Sequence, residues 1–312
     1  MTTQVQGYTQ LLESVPCNLC GANDYSVIYP ARYDLANPKN IMASFRSSAD
    51  EILVDQLVKC NRCGLQYLNP RLNQDLIIDA YSSGTDETFV SQAPGREKTF
   101  AKSLDFIEKY CPAKGKILDI GTAGGSFLHV ARQRGWKVRG CEPNRWLCQW
   151  AKDHYGLDVT PGTVWAMDVT ENEFDVITLW DVLEHVPDPT KLLRECHRIL
   201  KPGGLLVVNY PDIEASVSKV LGRKWVFLLS VHLFYFTVPT ILKVLEKNGF
   251  RLLRCKNHWQ TLEIDYILFR MKPYIPWLSD FGRHVVKTLR LQHMQIPYFM
   301  GQRFVLAQKD KR

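Results

Sequence analysis

The sequence predicts an α/β fold, a doubly wound and mostly parallel sheet behind a small cysteine-bearing module. Three observations predict it. Residues 116–143, KILDIGTAGGSFLHVARQRGWKVRGCEP, read as strand, glycine loop, helix, strand and closing acid. Residues 174–212 read as strand, loop, helix, Pro-Gly-Gly turn and strand. Ahead of both stand two matched turns, Cys17-Asn18-Leu19-Cys20-Gly21 and Cys60-Asn61-Arg62-Cys63-Gly64.

The matched turns define the first unit, residues 1–72. Two Cys-x-x-Cys turns offer four thiolates, from Cys17, Cys20, Cys60 and Cys63, to one tetrahedral zinc. The glycine after each pair lets the turn tighten so that backbone N–H groups point at sulfur. The 39 residues between the turns exceed the usual ribbon spacing. A disulfide pair or a redox Cys-x-x-Cys is the alternative. A reducing compartment opposes the first, and a redox motif needs only one such turn, at a helix start. Four cysteine ligands leave no open position, so the zinc is structural. A unit of this size with few large apolar side chains needs such a staple. The remaining cysteines, Cys111, Cys141, Cys148, Cys196 and Cys255, sit among apolar neighbours and read as core residues.

Residues 73–95 follow as linker or lid, with a helix over Gln74–Tyr81 and then a Ser/Gly/Thr-rich loop. Residues 96–312 form the main domain. Thr99–Tyr110 is an amphipathic helix leading into the strand Lys116–Ile120. Gly121, Gly124 and Gly125 let the chain turn tightly, and Phe127, Leu128 and Ala131 repeat at helical spacing. Lys137–Cys141 is the second strand, closed by Glu142, 21 residues after Gly121. That is the layout of a nucleoside-binding βαβ unit, whose acid accepts from both ribose hydroxyls. Phe174–Leu179 reads as a buried strand. Pro189–Leu200 reads as a helix stopped by Lys201-Pro202-Gly203-Gly204, and Leu205–Asn209 as the next strand. Thr240–Asn248 is a helix ended by Gly249. Phe250–Cys255 begins a strand, Gly301–Gln308 is the last strand, and a basic insertion occupies about 257–297.

A dinucleotide loop would read GxGxxG, but the positions from Gly121 are Gly, Thr, Ala, Gly, Gly, Ser. Asp119 directly before the loop would repel phosphates and suits an amino group. The pattern Asp119-x-Gly121-x-Ala123-x-Gly125 therefore resembles the first motif of class I S-adenosylmethionine (SAM)-dependent methyltransferases, with Ala123 in place of the middle glycine. Phe174-Asp175, Glu184-His185-Val186 and Lys201-Pro202-Gly203-Gly204 resemble further signatures of the same family, in the right order. The resemblance covers roughly 96–312 and implies a Rossmann-like sheet of seven strands ending in a hairpin, with SAM as cofactor.

It also implies site roles. Glu142 would accept from the ribose hydroxyls, and Asp119 would orient the methionine amino group. The backbone of Gly121, Thr122 and Gly125 would hold the amino-acid tail. Val164, in Gly162–Trp165 after the third strand, would lie by the adenine. Similar proteins often carry an acid there, where this chain has Thr163 and Val164. Trp180 would pack near the cofactor. Methyl transfer is an in-line displacement that depends on alignment, and a hydroxyl or carbon acceptor must also lose a proton. The candidate bases are His185, after the fourth strand, and His232 in Val231–Thr237, a segment that faces the acceptor in similar enzymes. Tyr235 is a weaker candidate for positioning.

Composition fits this reading, with 46% apolar and 23% charged residues. No run of 18 apolar residues predicts a transmembrane helix. The N-terminus lacks the features of a secretion signal, which points to the cytoplasm. The net charge is +7, yet residues 219–312 carry 17 Lys+Arg against 5 Asp+Glu. Such a tail is a solvated face or an attraction for an anionic partner. Trp277, Leu278, Phe281, Val285, Val286 and Leu289 share one helical side with Arg283, Lys287 and Arg290 interspersed. That side suits packing on the sheet or over the active site, or else a membrane interface. The functional expectation is a zinc-stapled methyltransferase acting on a small hydroxylated metabolite, such as a sugar or glycan precursor. The alternatives are an RNA methyltransferase that holds nucleic acid with its zinc module and basic tail, a non-catalytic SAM-binding module, and a nicotinamide-dependent enzyme.

Overall fold

A computed structural model describes residues 12–32, 53–73, 82, 85, 87–272 and 275–310. The expected helix at 74–81 lies outside them. The N-terminal part contributes strands β1 (Leu12–Glu13), β2 (Tyr25–Tyr29), β3 (Leu57–Cys60), β4 (Gln66–Leu68) and β5 (Arg71–Leu72). Helices α1 (Glu87–Val90) and α2 (Ala93–Ile107) lead to β6 (Lys116–Ile120), α3 (Ser126–Gln133), β7 (Lys137–Glu142) and α4 (Arg145–Tyr155). Then come β8 (Thr160–Pro161), β9 (Phe174–Trp180), α5 (Pro189–Ile199), β10 (Leu200–Pro211) and α6 (Ser216–Leu221). The chain ends with β11 (Phe234–Tyr235), α7 (Val238–Lys247), β12 (Phe250–Asn257), β13 (Gln260–Glu263), α8 (Ile264–Met271), α9 (Pro276–Thr288), β14 (Gln295–Tyr298) and β15 (Gln302–Lys309).

Seven strands form the main sheet in the order β12-β15-β10-β9-β6-β7-β8. The pairs from β10 through β8 are parallel, while β15 runs antiparallel between β10 and β12. The direction of winding reverses between β6 and β9, the place where open α/β sheets bind ligands. The inner strands are apolar on both faces because helices cover both, and Ile117, Leu118, Val176, Ile177, Val207 and Val208 are fully buried.

Helix ends follow their local chemistry. Helix α5 starts at Pro189, and its cap Asp188 accepts from Lys191 N. Helix α7 starts after Thr237, which makes a reciprocal capping box with Thr240. The helix expected from Thr99 begins six residues earlier, at Ala93, because Pro94 fits its first turn. After α5 the sheet register jumps from Leu200 to Leu205. The Lys-Pro-Gly-Gly turn therefore bulges out between two paired stretches of one strand.

The expected boundary at residue 72 is not a break in packing. Strand β4 pairs with β11 from far along the chain, completing a four-stranded sheet β11-β4-β3-β2. One buried cluster runs from Cys17 and Leu57 through Phe234 to Leu206 and Val305. The open edge of β4 would otherwise leave backbone groups unpaired.

The insertion between β12 and β15 also differs from expectation. Helix α9 buries Ser279 and Val286 against α8, whereas Trp277 is 72% and Phe281 64% exposed. The part that packs on the rest of the domain is β13, which meets helix α2: Thr261 N donates to Thr99 Oγ1 at 2.8 Å and Glu263 N to Gln92 Oε1 at 3.2 Å. Among the described residues, no helix is long and apolar enough to cross a membrane.

Candidate active site

A cavity of about 620 Å³ opens at the carboxyl ends of β6, β7 and β9. Asp119, Gly121, Thr122, Glu142, Trp180 and His185, all singled out from the sequence, line it. Gly125 and Val164 do not line it. Gly125 caps α3 with φ +81°, and a side chain there would strike Leu157 and Ala151. Its absent Cβ thus serves the approach of loop to helix α4. Val164 is buried in the core, and its neighbours Thr163 and Trp165 face the cavity instead.

One end of the cavity is built by the glycine loop. Glu142 is buried, its Oε2 accepting from Ala123 N at 2.8 Å and its Oε1 from Asn144 N at 2.9 Å. Burial raises its pKa, and the two N–H groups counter the rise. The carboxylate is thereby fixed in one orientation with lone pairs left over. Ala123 sits at φ +47°, a backbone region that costs a Cβ-bearing residue about 1–2 kcal/mol. Its N–H bond to Glu142 offsets part of that cost. Gly121, at φ +69°, has no room for a side chain because a Cβ would lie 2.7 Å from Val182. Asp119 is buried and accepts from Thr178 Oγ1 at 2.6 Å. Burial pushes its pKa up to about 7 against the hydrogen bond from Thr178. A ligand cation beside it would restore the carboxylate.

The other end is a polar cluster on aromatic walls. Asp181 follows β9 at φ +51°, a strained position for a residue with a side chain. Asn209 Nδ2 donates to its Oδ1 at 2.6 Å, and Gln302 Nε2 reaches the same atom at 3.4 Å. Burial lifts the Asp181 pKa to about 6, with the charge of Arg96 opposing. Arg96 lies over the Phe89 ring, 3.7 Å from its centroid, and both line the cavity. Trp180 packs against Phe100 and Phe127 with ring centroids 5.2 Å apart, and stacks near His258 at 5.8 Å. His258 and Gln260 bring the insertion into the cavity wall. Asp181, Arg96, Asn209, His258 and Gln260 are not among the candidates read from the sequence. Asp181 has a local signal, an acid two residues past a predicted strand, while the others arrive by long-range packing.

The two candidate bases stand differently. His185 lines the cavity, its Nδ1 donating to Val231 O at 3.0 Å, and burial pulls its pKa down to about 4. His232 is buried outside the lining, its Nδ1 donating to Phe227 O at 2.8 Å, and burial drives its pKa well below the usual range. A neutral, enclosed imidazole has no direct path to an acceptor proton. Tyr235 is also enclosed and donates to Leu229 O at 2.6 Å.

The four knuckle cysteines meet as free thiols. Cys17 and Cys63 sulfurs are 3.4 Å apart, Cys20 and Cys60 sulfurs 3.5 Å, and all four lie within 4.8 Å of one another. These separations are too long for a disulfide and suit four thiolates around one ion at about 2.3 Å from each. Burial alone would raise Cys60, but backbone N–H groups of Cys63 and Arg62 bring it down to about 7. The donor set therefore fits a tetrahedral zinc. The first knuckle is tied to the cavity rim, since Asn18 Nδ2 donates to Asp188 Oδ1 at 2.8 Å and Thr190 Oγ1 donates to Asn18 Oδ1 at 2.7 Å.

Comparison with known proteins gives a family. A profile described as a methyltransferase domain matches residues 93–254. A ubiquinone biosynthesis O-methyltransferase of Coxiella burnetii is 29% identical over 181 residues, covering 54% of this chain and 77% of that protein. The Pseudomonas aeruginosa protein of the same name is 35% identical over 136 residues, covering 40% and 58%. A SAM-dependent methyltransferase from Archaeoglobus fulgidus shares the fold with a TM-score of 0.50 at 16% identity, over 72% of this chain and all of that one.

Proposed function

We infer the acceptor from a fixed premise: the chain belongs to the methyltransferase-domain family and is a SAM-dependent methyltransferase acting on a small molecule. SAM supplies an electrophilic methyl group on a sulfonium. The chain's own residues divide the remaining work between the two ends of the cavity.

At the loop end, Glu142 would take the ribose hydroxyls, and Asp119 the amino group of the methionine tail, beside the backbone of Gly121 and Thr122. Thr163 and Trp165 would border the base. At the far end the acceptor is a small hydroxylated metabolite, a sugar or glycan precursor. The observation that carries this is the polar cluster of Asp181, Asn209 and Gln260 on the cavity wall beside Arg96, backed by the buried Gln302. Asn209, which lines the cavity, has its Oδ1 buried without a partner, and so has Gln302 its Oε1 directly behind it. A bound hydroxyl would satisfy such groups, whereas an apolar ligand would leave them unpaired at about 1–3 kcal/mol each. Asp181, rather than His232, is the group placed to take the acceptor proton as the methyl is transferred. His185 borders it. A structural zinc on the four cysteines would brace the rim through Asn18.

A second reading has its own support. Both relatives are named for O-methylation in ubiquinone biosynthesis, and Phe89, Phe100 and Trp180 offer walls for a phenolic ring. Incubation with methyl-labelled SAM and a panel of nucleotide sugars, free glycans and catechol-type phenols separates the two. Label in a sugar or glycan supports the first reading, label in the phenols alone replaces it with the second, and label in neither overturns both.

A further inference from the structure

A buried group left unused by this chemistry is Glu184. It is 1% exposed, and neither of its carboxylate oxygens has a hydrogen-bond partner on another residue. A buried carboxylate in that state either carries a proton or faces a cation. The side chains beside it include His185 and His232, whose rings meet edge to face with centroids 4.6 Å apart, and the Asp181 carboxylate is near enough to oppose its charge, which a cation would relieve.

We propose that Glu184, His185 and His232 form a second metal site, separate from the four cysteines, that holds a divalent transition ion against the cavity wall. Three observations converge on it. First, one ligand atom from each of the three residues can be chosen so that all lie within 4.8 Å of one another. Ligands held at about 2.1 Å from an ion sit roughly 3–4 Å apart, so small side-chain rotations close the set. Second, both imidazoles have their outer nitrogen fixed. A carbonyl oxygen only accepts, so Nδ1 of His185 must donate to Val231 O at 3.0 Å, and Nδ1 of His232 to Phe227 O at 2.8 Å. That tautomer makes Nε2 the lone-pair atom of each neutral ring, and such backbone support is the usual companion of metal-bound histidine. Third, the carboxylate supplies the negative charge that two neutral rings lack.

Two imidazoles and one carboxylate select a borderline ion such as Zn²⁺, Mn²⁺, Fe²⁺ or Co²⁺ over Mg²⁺ or Ca²⁺, which prefer all-oxygen shells. The ion would tie the residues after β9 to those before β11. His185 faces the cavity, so this tie would form part of the acceptor wall whichever acceptor binds.

The test titrates the full chain, stripped by a chelator, with Co²⁺ alone. Cobalt on thiolates gives an intense near-ultraviolet charge-transfer band, and cobalt on nitrogen and oxygen does not. The expected result is a further equivalent of Co²⁺ that binds after the thiolate band has saturated. In Glu184→Gln and in His232→Gln that equivalent should weaken by more than the roughly 10–100-fold that losing an outer-sphere partner costs, with the thiolate band intact. Should either variant fail to fold, the wild-type stoichiometry decides alone. Uptake limited to the thiolate-bound equivalent overturns the site. So does a further equivalent that survives in both variants, or an infrared difference spectrum showing that Glu184 carries a proton in metal-loaded protein.

Discussion

The substitution Glu142→Gln tests the nucleoside end of the cavity with the smallest possible change of shape. The carboxylate accepts one backbone N–H on each oxygen, from Ala123 at 2.8 Å and Asn144 at 2.9 Å. Its remaining lone pairs are the ones assigned to the ribose. An amide has one oxygen and one donor nitrogen. Whichever way the substituted amide turned, its NH₂ would face a backbone N–H, leaving a buried donor unpaired at about 1–3 kcal/mol of folding stability. The ribose would lose at least one hydrogen bond to a charged acceptor, about 1.5–3 kcal/mol. That is roughly 10–150-fold in affinity. Calorimetric titration with S-adenosylhomocysteine, paired with thermal melts of the ligand-free variant, separates the two losses. A variant that melts within a few degrees of wild type yet binds with an affinity changed by less than about twofold would refute the ribose assignment.

Three further outcomes are expected. Asp119 has its pKa raised from 3.8 to about 7 in the folded chain, so its contribution to stability is full below pH 4 and is lost as pH rises through 7. Ligand-free melting temperature should fall across that window, binding of S-adenosylhomocysteine should release protons near pH 6, and Asp119→Asn should flatten both trends. Asp181→Asn should lower turnover by about 10²–10⁴-fold if the carboxylate takes the acceptor proton, while S-adenosylhomocysteine affinity stays within about twofold; full turnover in a rate assay would remove Asp181 from that role. Cys17→Ser should release one zinc per chain by metal analysis and raise the acceptor KM more than it weakens cofactor binding, whereas a metal-free wild-type protein with normal stability would reject the zinc staple.

The parts legible in the sequence are those whose physics is local. Lys116–Ile120, Lys137–Glu142 and Phe174–Trp180 announce themselves as apolar runs between turns, and the seven-stranded sheet follows from them. Asp119 and Glu142 are found because strand ends feed one crevice. The expectation for Val164 misses by one residue on either side, since a short 3-10 turn over Val164–Ala166 rotates it inward and Thr163 and Trp165 outward. Ala123 shows another limit. Composition marks it as a lapse from glycine, but the backbone still adopts φ +47° because Glu142 binds its N–H. His232 sits in a segment that reads as acceptor-facing, yet β11 folds back onto β4 and encloses it. No periodicity in residues 228–236 forecasts a partner as far back as Gln66–Leu68.

That long-range pairing gives the cysteine cluster a consequence for chemistry. Leu53 N donates to Leu228 O at 2.9 Å, Val54 N to Ser230 Oγ at 3.1 Å, and Leu68 N to Leu233 O at 2.9 Å. The segment carrying His232 is thus stitched to β4 and to the residues that lead into β3, the strand that ends at Cys60. On the other side, Asn18 holds Asp188 and Thr190, and Lys247 Nζ donates to Leu19 O at 2.6 Å. Both attachments end at the His185–Asp188 rim or directly behind it. Neither reaches Asp119, Gly121 or Glu142, which hang on β6 and β7 at the opposite side of the crevice. Loosening the cysteines should therefore disturb the acceptor half of the cavity and spare the nucleoside half. An appended metal module so placed can change which acceptor fits without altering how the methyl donor is held.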